Sequence, residues 1–528
     1  MATQAAGRNS LSLRNTSSAS RSAASERSPD RTPGRGLAWL LAAAGAVASA
    51  GLLSGAPPKP LSIIGLAALV GSILLLPVIG TVLFFALAWA NAPVVLAGES
   101  GNAMLFGALS AALLCVPAFM QIFVLKRGFV FDLPFGMMLL FMGSLLLSAL
   151  GAHDTPIALG WIGTYLSEGI VLYFLVVNAV RDEKVLRLVV WTLVLVAALL
   201  SLFSIYQEVS RDYEQTFGGF AGRKVEVELR ASESLDGGGL VRTRESVRPE
   251  DRACGPVDDA NYFAQILLVV MPMAFVLVRM SKTRRAKISA LLIALLILSG
   301  TLLTYSRGGF LVLVILALLM IRFGYFRVRH ILLGAIPVVV IVAAVAPGYL
   351  DRINSLRAVS DMEQASDAAL RGRLTEMLAA WHVFLDHPFV GVGPGQYAPF
   401  YSLDYMDDPG VAFRQIDKER PAHILYFELA AETGIIGLLI FLGLAFTVLG
   451  RIRRVRLDCK KRPEMVHLAN GIELGILAYL GCGIFLSFAF MRYWWLLLAV
   501  AGALVTAARN AGAERPAAED GSLEGAAT

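Results

Sequence analysis

Residues 423–449 read HILYFELAAETGIIGLLIFLGLAFTVL, an apolar run whose only charged side chains are Glu428 and Glu432. A bilayer core about 30 Å thick is crossed by roughly 20 helical residues, so a continuous run of this length predicts a membrane-spanning helix. A strand of a membrane β-barrel would instead be a short segment of alternating polarity. The run therefore indicates helical membrane architecture.

Runs of the same kind recur through the chain. Its 528 residues are 56% hydrophobic and only 16% charged, which is more apolar than the usual composition of a soluble globular protein. Backbone polar groups in lipid must be satisfied within each segment, and helices do this best. We predict an all-α polytopic membrane protein with about 12–14 transmembrane helices and two large external loops, the second containing short helices.

Polarity divides the chain into alternating apolar and polar segments. Tails rich in small and polar residues cannot bury a core and are expected to be disordered. The predicted segments are a disordered cytoplasmic tail at 1–36, N-terminal transmembrane helices at 37–206, an external loop at 207–258, transmembrane helices at 259–348, a second external loop at 349–422 that is expected to be catalytic, C-terminal transmembrane helices at 423–508 and a disordered cytoplasmic tail at 509–528.

Individual spans follow from the apolar runs. Residues 61–97 form one long tract, in which Pro77 and Gly80 predict a turn between two short spans. The other predicted spans lie at about 37–54, 103–125, 130–151, 157–178, one ending near Tyr206, 260–279, 287–304, 309–323, 331–348, 423–449, 468–490 and 493–508.

The positions of basic residues predict the orientation. Clusters of Lys and Arg mark cytoplasmic connections, and alternation of the spans then puts both long loops, Arg307 and Arg492 on the external side. The clusters occupy 126–127, 181–187, 279–287, 322–330 and 451–462.

Arg307 lies in TYSRGG (304–309), between two apolar runs at the predicted external edge. An arginine there is costly unless it reaches the interface or binds an anion. Gly308 and Gly309 would let backbone approach a ligand or a neighbouring helix. The segment predicts an anion site, with a helix-packing hinge as the alternative.

Residues 368–387 predict an external helix with an apolar stripe at steps of three and four residues. Arg371 and Arg373 lie near its start. The planar guanidinium suits bidentate phosphate binding. The alternative for such a pair is a solvated helix face. The stripe consists of Leu370, Leu374, Met377, Trp381 and Phe384.

His423 lies at or just before the first turn of the span at 423–449. A helix N-terminus favours the uncharged imidazole, so the ring is a candidate general base for a hydroxyl group. An interfacial histidine with a capping role is the alternative. Glu428, Tyr426 and Arg420 are candidate supporting residues, and Glu432 lies one turn beyond Glu428; carboxylates at these depths should pair or hydrogen-bond.

Three other patterns predict structure instead of chemistry. GVGPG (391–395) does not follow a strand as a GxGxxG nucleotide loop does, and it predicts a tight turn. The acidic segment 403–410 matches no calcium loop. The cysteines, scattered along the chain, show neither disulfide nor metal spacing; they are Cys115, Cys254, Cys459 and Cys482.

Four segments together resemble the O-antigen ligase and polysaccharide polymerase family of membrane glycosyltransferases. They are DDANYFAQILLVVMPM (258–273), TYSRGG (304–309), RLTEMLAAWHVFLDHPFVGVGPGQY (373–397) and HILYFELAAETGIIGLLIFLG (423–443). The resemblance implies inverting transfer of a glycan from an undecaprenyl-diphosphate-linked donor, without a metal or cofactor. It implies that Arg307 and Arg373 hold the diphosphate, with Arg371 as the alternative to Arg373, and that His423 acts on the acceptor hydroxyl.

The same resemblance implies partners and a location. The acceptor would be lipid A core for a ligase, or a second lipid-linked glycan for a polymerase, and the sequence leaves this choice open. Membrane lipids are expected partners and nucleic acid is not. The chain would be a multi-pass protein of the bacterial inner membrane with its active site facing the periplasm.

Two other classes remain as alternatives. A lipid-linked oligosaccharide flippase or transporter would concentrate ionisable residues at mid-membrane and show internal repeats. A cell-wall glycan polymerase of the shape, elongation and division type would depend on an external carboxylate such as Asp404, Asp407 or Asp408.

Overall fold

The computed structural model describes a subset of the chain. The described residues are 68, 70–97, 103–226, 250–327, 329, 368–406, 411, 419–487 and 492–513. The predicted spans at 37–54 and 331–348, the tail at 1–36 and residues 514–528 of the second tail lie outside them, as do residues 407 and 408.

The N-terminal part is helical. Residues 71–75 are helical and a new helix starts at Pro77, so the chain does break at this proline. The helices are α1 Pro77–Trp89, α2 Ala92–Ala97, α3 Ala103–Phe119, α4 Leu133–Ala149, α5 Thr155–Thr164, α6 Leu172–Ala179 and α7 Glu183–Ser210. A π-helical segment, Met120–Val124, extends α3, and another, Tyr165–Val171, joins α5 to α6.

The C-terminal part contains one small hairpin and further helices. Its elements are β1 Gly222–Glu226, β2 Glu250–Gly255, α8 Ala260–Met280, α9 Arg284–Leu302, α10 Arg307–Arg322, α11 Ala368–Asp386, α12 Ser402–Met406, α13 Leu425–Asp458, α14 Pro463–Cys482 and α15 Arg492–Ala513. A π-helical segment, Tyr397–Tyr401, precedes α12.

Within the described residues, seven helices are long and apolar enough to cross a membrane. This confirms the all-α polytopic class. The total of about 12–14 spans stays a prediction, because two of the expected spans are not among the described residues. The seven are Thr155–Ala179, Glu183–Ser210, Ala260–Met280, Arg284–Leu302, Leu425–Asp458, Pro463–Cys482 and Arg492–Gly512.

Helix α8 lies at the centre of the bundle and packs against α7, α9 and α14. Large aromatic rings fill the adjoining core: Trp494 stacks with Phe441 at 5.4 Å and with Tyr479 at 5.0 Å between ring centroids. Offset and edge-on aromatic contacts of this kind add to the free energy of burial. These contacts fix the helices relative to one another, and therefore also fix the positions of their ends.

The bundle has two chemically different ends. The first, here called the site end, contains the starts of α8, α10 and α13 and the ends of α9 and α14. The opposite end, here called the basic end, contains the predicted Lys and Arg clusters at 279–287 and 451–462. The side of the bilayer that each end faces stays a prediction.

The first long loop is more ordered at its boundaries than its charge suggests. We expected a solvated segment over 207–258, yet β1 and β2 form an antiparallel hairpin. Ala253 and Cys254 on β2 are fully buried, and Ala253 N–H donates to Leu303 O at 3.2 Å. The hairpin therefore covers the site end, next to the starts of α8 and α10.

Helix α13 is interrupted where the glycine-rich loop docks. Gly434 has φ 65° and ψ −170°, a conformation outside the helical region. The carbonyls of Ala431 and Glu432 accept hydrogen bonds from Val392 N–H (2.9 Å) and Gly393 N–H (3.0 Å). The loop thus supplies backbone partners to the groups that the break in α13 exposes.

The glycines of GVGPG serve this docking. Gly391 has φ 72°, and a Cβ there would lie 2.4 Å from the Glu432 carbonyl carbon. Gln396 fixes the other side of the loop: its amide donates to Asp154 O (3.1 Å) and accepts from Asp154 N–H (2.8 Å). These contacts agree with the predicted structural turn.

Candidate active site

A cavity lies at the site end between the start of α10, α11 and the segment that follows α14. Arg373 is the one charged side chain among its lining residues, and polar groups come from Asn261 and Ser306. The lining consists of Asn261, Ser306, Gly308, Gly309, Arg373, Cys482, Phe485 and Leu486.

The TYSRGG segment forms a sharp turn into α10. Tyr305 has φ 50°, and Ser306 Oγ accepts from Gly309 N–H at 3.1 Å as an N-cap. Arg307 is therefore the first residue of α10. Because α10 starts at the cavity wall, its N-terminal dipole favours a negative charge there.

Both glycines of this segment allow close packing. A Cβ at Gly308 would lie 3.0 Å from Phe485 Cβ, and a Cβ at Gly309 would lie 3.1 Å from Ala264 Cβ. Gly308 and Gly309 therefore take part in close helix packing, which is the alternative role that the sequence predicted for this segment. It does not account for the adjacent guanidinium of Arg307.

The hairpin and α8 hold the turn in place. Arg252 Nε donates to Thr304 O at 3.0 Å, and its Nη2 donates to Asn261 Oδ1 at 2.9 Å. Asn261 Oδ1 also accepts from Ser306 Oγ at 2.8 Å. Our sequence reasoning assigned no chemistry to the loop that contains Arg252. The sequence feature that could have drawn attention to this region is DDANYFA (258–264), which follows Arg252 and leads into α8.

Helix α11 places Arg373 in the cavity wall, whereas Arg371 is not among the lining residues. Arg371 is partly buried, and its Nε makes no hydrogen bond within the part of the chain that the structure describes. This geometry favours Arg373 over Arg371 as the cation of the cavity.

The buried face of α11 is not the predicted apolar stripe. Trp381 in the stripe is exposed, while Ala379, Ala380 and Val383 are fully buried. Ala380 and Val383 pack in a cluster that includes Tyr397. Small side chains allow α11 to approach its neighbours closely, whereas Leu374, Met377 and Phe384 of the stripe are only half-buried.

His423 lies two residues before α13 and has φ 53°, in the left-handed region. The chain on either side is fixed by hydrogen bonds: Ala422 N–H donates to Glu428 Oε2 at 2.7 Å, and Leu425 N–H donates to Gly483 O at 2.8 Å. The imidazole is 27% exposed, so a substrate can reach it while the fixed backbone limits its movement.

Glu376 on α11 contacts this imidazole. Its Oε2 lies 3.4 Å from His423 Nε2, and its Oε1 lies 3.6 Å from Arg420 Nη1. The side chain of Glu376 is only 1% exposed. Sequence reasoning missed this residue, although it follows Arg373 by three positions and so lies near it on the helix surface.

The candidate supporting residues have separate roles. Glu428 accepts a hydrogen bond from the backbone just ahead of His423. Tyr426 donates to Leu480 O at 2.6 Å and so ties α13 to α14. Glu432 accepts from Tyr397 N–H at 3.4 Å, within the docked loop.

Tyr397 is the link between that loop and α11. Its hydroxyl donates to Glu376 O at 2.9 Å. Burial raises the pKa of Tyr397 well above its usual range, and the nearby carboxylates of Glu428, Glu376 and Glu432 raise it further. The phenol is therefore a stable donor at neutral pH.

The carboxylates of the acidic segment lie elsewhere. Asp404 is exposed on α12. Among the described residues, no three His, Cys, Asp or Glu side chains gather in a metal-binding arrangement.

Residues 292–442 match the family model described as O-antigen ligase. This match supports an O-antigen ligase-related family for the chain. No curated protein matches its sequence. The family match and the apolar helices together support a membrane protein of polysaccharide or lipopolysaccharide biosynthesis.

All the site residues predicted from the sequence lie within the O-antigen ligase region. The matched residues include Arg307, Arg373 and His423, whereas Asn261 and the 482–486 segment complete the cavity from outside the match. The structure brings Arg373 to the turn that contains Arg307, although Arg307 is not itself among the lining residues. His423 is not in the cavity lining; it lies beside it through Glu376, one helical turn from Arg373.

Proposed function

We propose that the chain is a membrane glycosyltransferase that transfers a glycan from an undecaprenyl-diphosphate-linked donor to an acceptor hydroxyl on the periplasmic face. The supporting observation is that α11 presents Arg373 to the cavity and Glu376 to His423, three residues apart. The reaction is inverting and needs no metal in this proposal. The acceptor is lipid A core for a ligase or a lipid-linked glycan for a surface-polysaccharide polymerase.

The donor diphosphate would bind at the N-terminus of α10. Arg307 begins this helix and Arg373 lines the cavity beside it. Guanidinium groups form strong paired hydrogen bonds with phosphate oxygens, and the helix dipole adds to the attraction. These groups would stabilise the negative charge that develops on the leaving diphosphate, and this is often the largest single contribution to catalysis.

His423 would accept the proton of the acceptor hydroxyl. The acceptor oxygen forms a bond to the anomeric carbon while the bond from that carbon to the diphosphate oxygen breaks. The proton moves to the imidazole, and the electron pair leaves with the diphosphate. Attack from the face opposite the leaving group gives inversion. The donor carries its own leaving group, which suits a compartment without nucleotide sugars.

Transfer assays in membranes test this proposal. Undecaprenyl-diphosphate-linked oligosaccharide is supplied with lipid A core or with the same lipid-linked oligosaccharide as acceptor. We expect His423→Ala and Arg307→Ala each to lower transfer by about 100-fold or more. Full transfer by both variants would overturn the mechanism. The acceptor that supports turnover separates ligase from polymerase.

The matched controls are His387→Ala and Arg285→Ala. His387 is an exposed histidine near the site end, and Arg285 is an exposed arginine at the start of α9, at the basic end. Both variants should keep wild-type transfer, so that a general loss of expression is distinguished from a loss of chemistry.

Orientation is tested separately by cysteine accessibility. Single cysteines in 349–422 should react with a membrane-impermeant reagent added from outside the inner membrane, whereas a cysteine at Lys287 should be protected. The reverse result would place the site in the cytoplasm.

A further inference from the structure

We infer that Glu376 is a positioning residue that orients His423 and stabilises its protonated form during transfer. This inference rests on the proposed role of His423 as the base. It adds a carboxylate from the external helix α11 to a histidine that precedes the membrane helix α13.

Burying the Glu376 carboxylate costs free energy. A carboxylate that is 1% exposed is strongly destabilising unless cations or donors compensate it. Its two oxygens face two cationic or potentially cationic groups, Arg420 at 3.6 Å and His423 at 3.4 Å. The carboxylate therefore serves both groups, and it is the shared element of a three-residue cluster.

Backbone hydrogen bonds hold the cluster in place. Tyr397 anchors the Glu376 carbonyl, and hydrogen bonds at Ala422 and Leu425 fix the chain on either side of His423. With both backbones fixed, the main remaining freedom of the imidazole is rotation of its ring. A carboxylate at the ring nitrogen limits that rotation.

The two ring nitrogens of His423 differ in their access to substrate. Because Nδ1 is buried, Nε2 is the nitrogen that an acceptor hydroxyl can reach, and it lies 3.4 Å from Glu376 Oε2. The imidazolium that forms when Nε2 accepts the proton lies beside a negative charge.

Arg420 should have the opposite effect on His423. Its guanidinium competes for the same carboxylate and adds a positive charge nearby. Tyr397 in the docked loop lies near Glu376 and near Glu428 and Glu432 on α13, and Tyr262 on α8 lies near Glu428 and Arg373. Apart from Glu376 itself, these groups are the same in all the variants below, so a difference in His423 protonation between variants reports the effect of Glu376 or Arg420 alone.

The experiment measures the modification of His423 by diethyl pyrocarbonate in the detergent-solubilised full chain, by mass spectrometry over a pH series. The reagent acylates neutral imidazole, so the midpoint of the pH dependence reports protonation without any substrate. The exposed His387 in the same sample is the internal control.

We expect Glu376→Gln to move the His423 midpoint to lower pH by about one unit, because the imidazolium loses a neighbouring negative charge. Arg420→Gln should move it to higher pH, and Glu376→Asp should stay nearer to wild type. An unmoved midpoint in Glu376→Gln, or shifts of the same sign in the Glu376→Gln and Arg420→Gln variants, would overturn the inference.

Transfer kinetics supply the second readout. Glu376→Gln should lower kcat by about 10–100-fold with donor KM little changed, and should move the acidic limb of the kcat profile to lower pH. Asp386→Asn, an acid at the far end of α11 that binds Tyr405, is the matched control. Retained transfer by His423→Ala would defeat the proposed function, whereas an unmoved His423 midpoint in Glu376→Gln would defeat this inference alone.

Discussion

The two ends of the bundle use arginine differently. At the basic end, Arg181 is 2% exposed and donates to the carbonyls of Arg127 (3.1 Å) and Gly128 (2.6 Å). Arg456 pairs with Glu473 at 2.8 Å. At the site end, Arg373 borders a cavity. Guanidinium groups thus close the connections at the basic end, and one guanidinium, that of Arg373, lines a cavity at the site end.

The comparison shows that basic content alone does not locate a functional site. The larger number of Lys and Arg residues lies at the basic end, where topology and packing explain them. At the site end the informative feature is position: a guanidinium beside a helix N-terminus, with a buried carboxylate and an imidazole one turn away. Substitutions at the two ends should therefore separate loss of chemistry from loss of stability.

The largest effect is expected for Arg373→Ala at the site end. Transfer from the undecaprenyl-diphosphate-linked oligosaccharide should fall by about 100–1,000-fold, because a donor to the leaving group is lost. Arg371→Ala should have a smaller effect, since Arg371 is not among the lining residues. Rates are measured on equal amounts of folded protein. An equal loss in both variants would contradict the choice of Arg373.

The next effect concerns the frame that holds the site. Gly434→Ala should destabilise the chain by about 2–4 kcal/mol, because a Cβ at Gly434 would lie 2.2 Å from the carbonyl carbon of Phe389 and φ is 65°. Thermal unfolding of the purified chain measures it. Gly450→Ala is the control, since a Cβ at Gly450 meets nothing within 4 Å. Equal melting temperatures would show that the docked loop contributes little.

A smaller effect is expected for Arg181→Ala at the basic end. Losing its hydrogen bonds leaves buried carbonyl groups unsatisfied, at a cost of about 1–3 kcal/mol. The melting temperature should fall while transfer per folded molecule stays at the wild-type value. If Arg181→Ala lowered transfer per folded molecule without lowering the melting temperature, the basic end would have a role in the reaction and the proposed difference between the two ends would be wrong.

The smallest effect is expected for Tyr325→Phe, also at the basic end. The Tyr325 hydroxyl lies 2.9 Å from His467 Nδ1 and accepts from Asn470 Nδ2 at 3.2 Å. Its removal should cost about 1 kcal/mol and leave transfer unchanged. Differential scanning fluorimetry is sensitive enough to detect this shift; a loss of transfer would mean that the basic end takes part in turnover.

Much of the helical framework follows from local sequence. The predicted runs at 130–151, 157–178 and 260–279 became Leu133–Ala149, Thr155–Ala179 and Ala260–Met280. Length and apolar content suffice for such segments, because each must satisfy its backbone internally in lipid. The hairpin at β1 and β2 was missed, since its strands are highly charged and their pairing is a long-range contact.

The candidate site was predictable residue by residue but not as an arrangement. An arginine between two apolar runs and a histidine at a helix start are visible in the sequence, because charge at a membrane boundary needs an explanation. Glu376 carried no such signal: it lies in an ordinary amphipathic helix, and only the approach of 420–423 gives it partners.

The sequence by itself determined the membrane class, the positions of most described helices and the identities of the candidate cations and base. Only the tertiary structure decided that Arg373 lines the cavity in preference to Arg371, that the first loop braces the TYSRGG turn through Arg252, and that Glu376 contacts His423. The reason is physical: apolar runs and helix starts are local properties of the chain. A cavity and a charge pair depend on which distant segments the packed helix ends bring together.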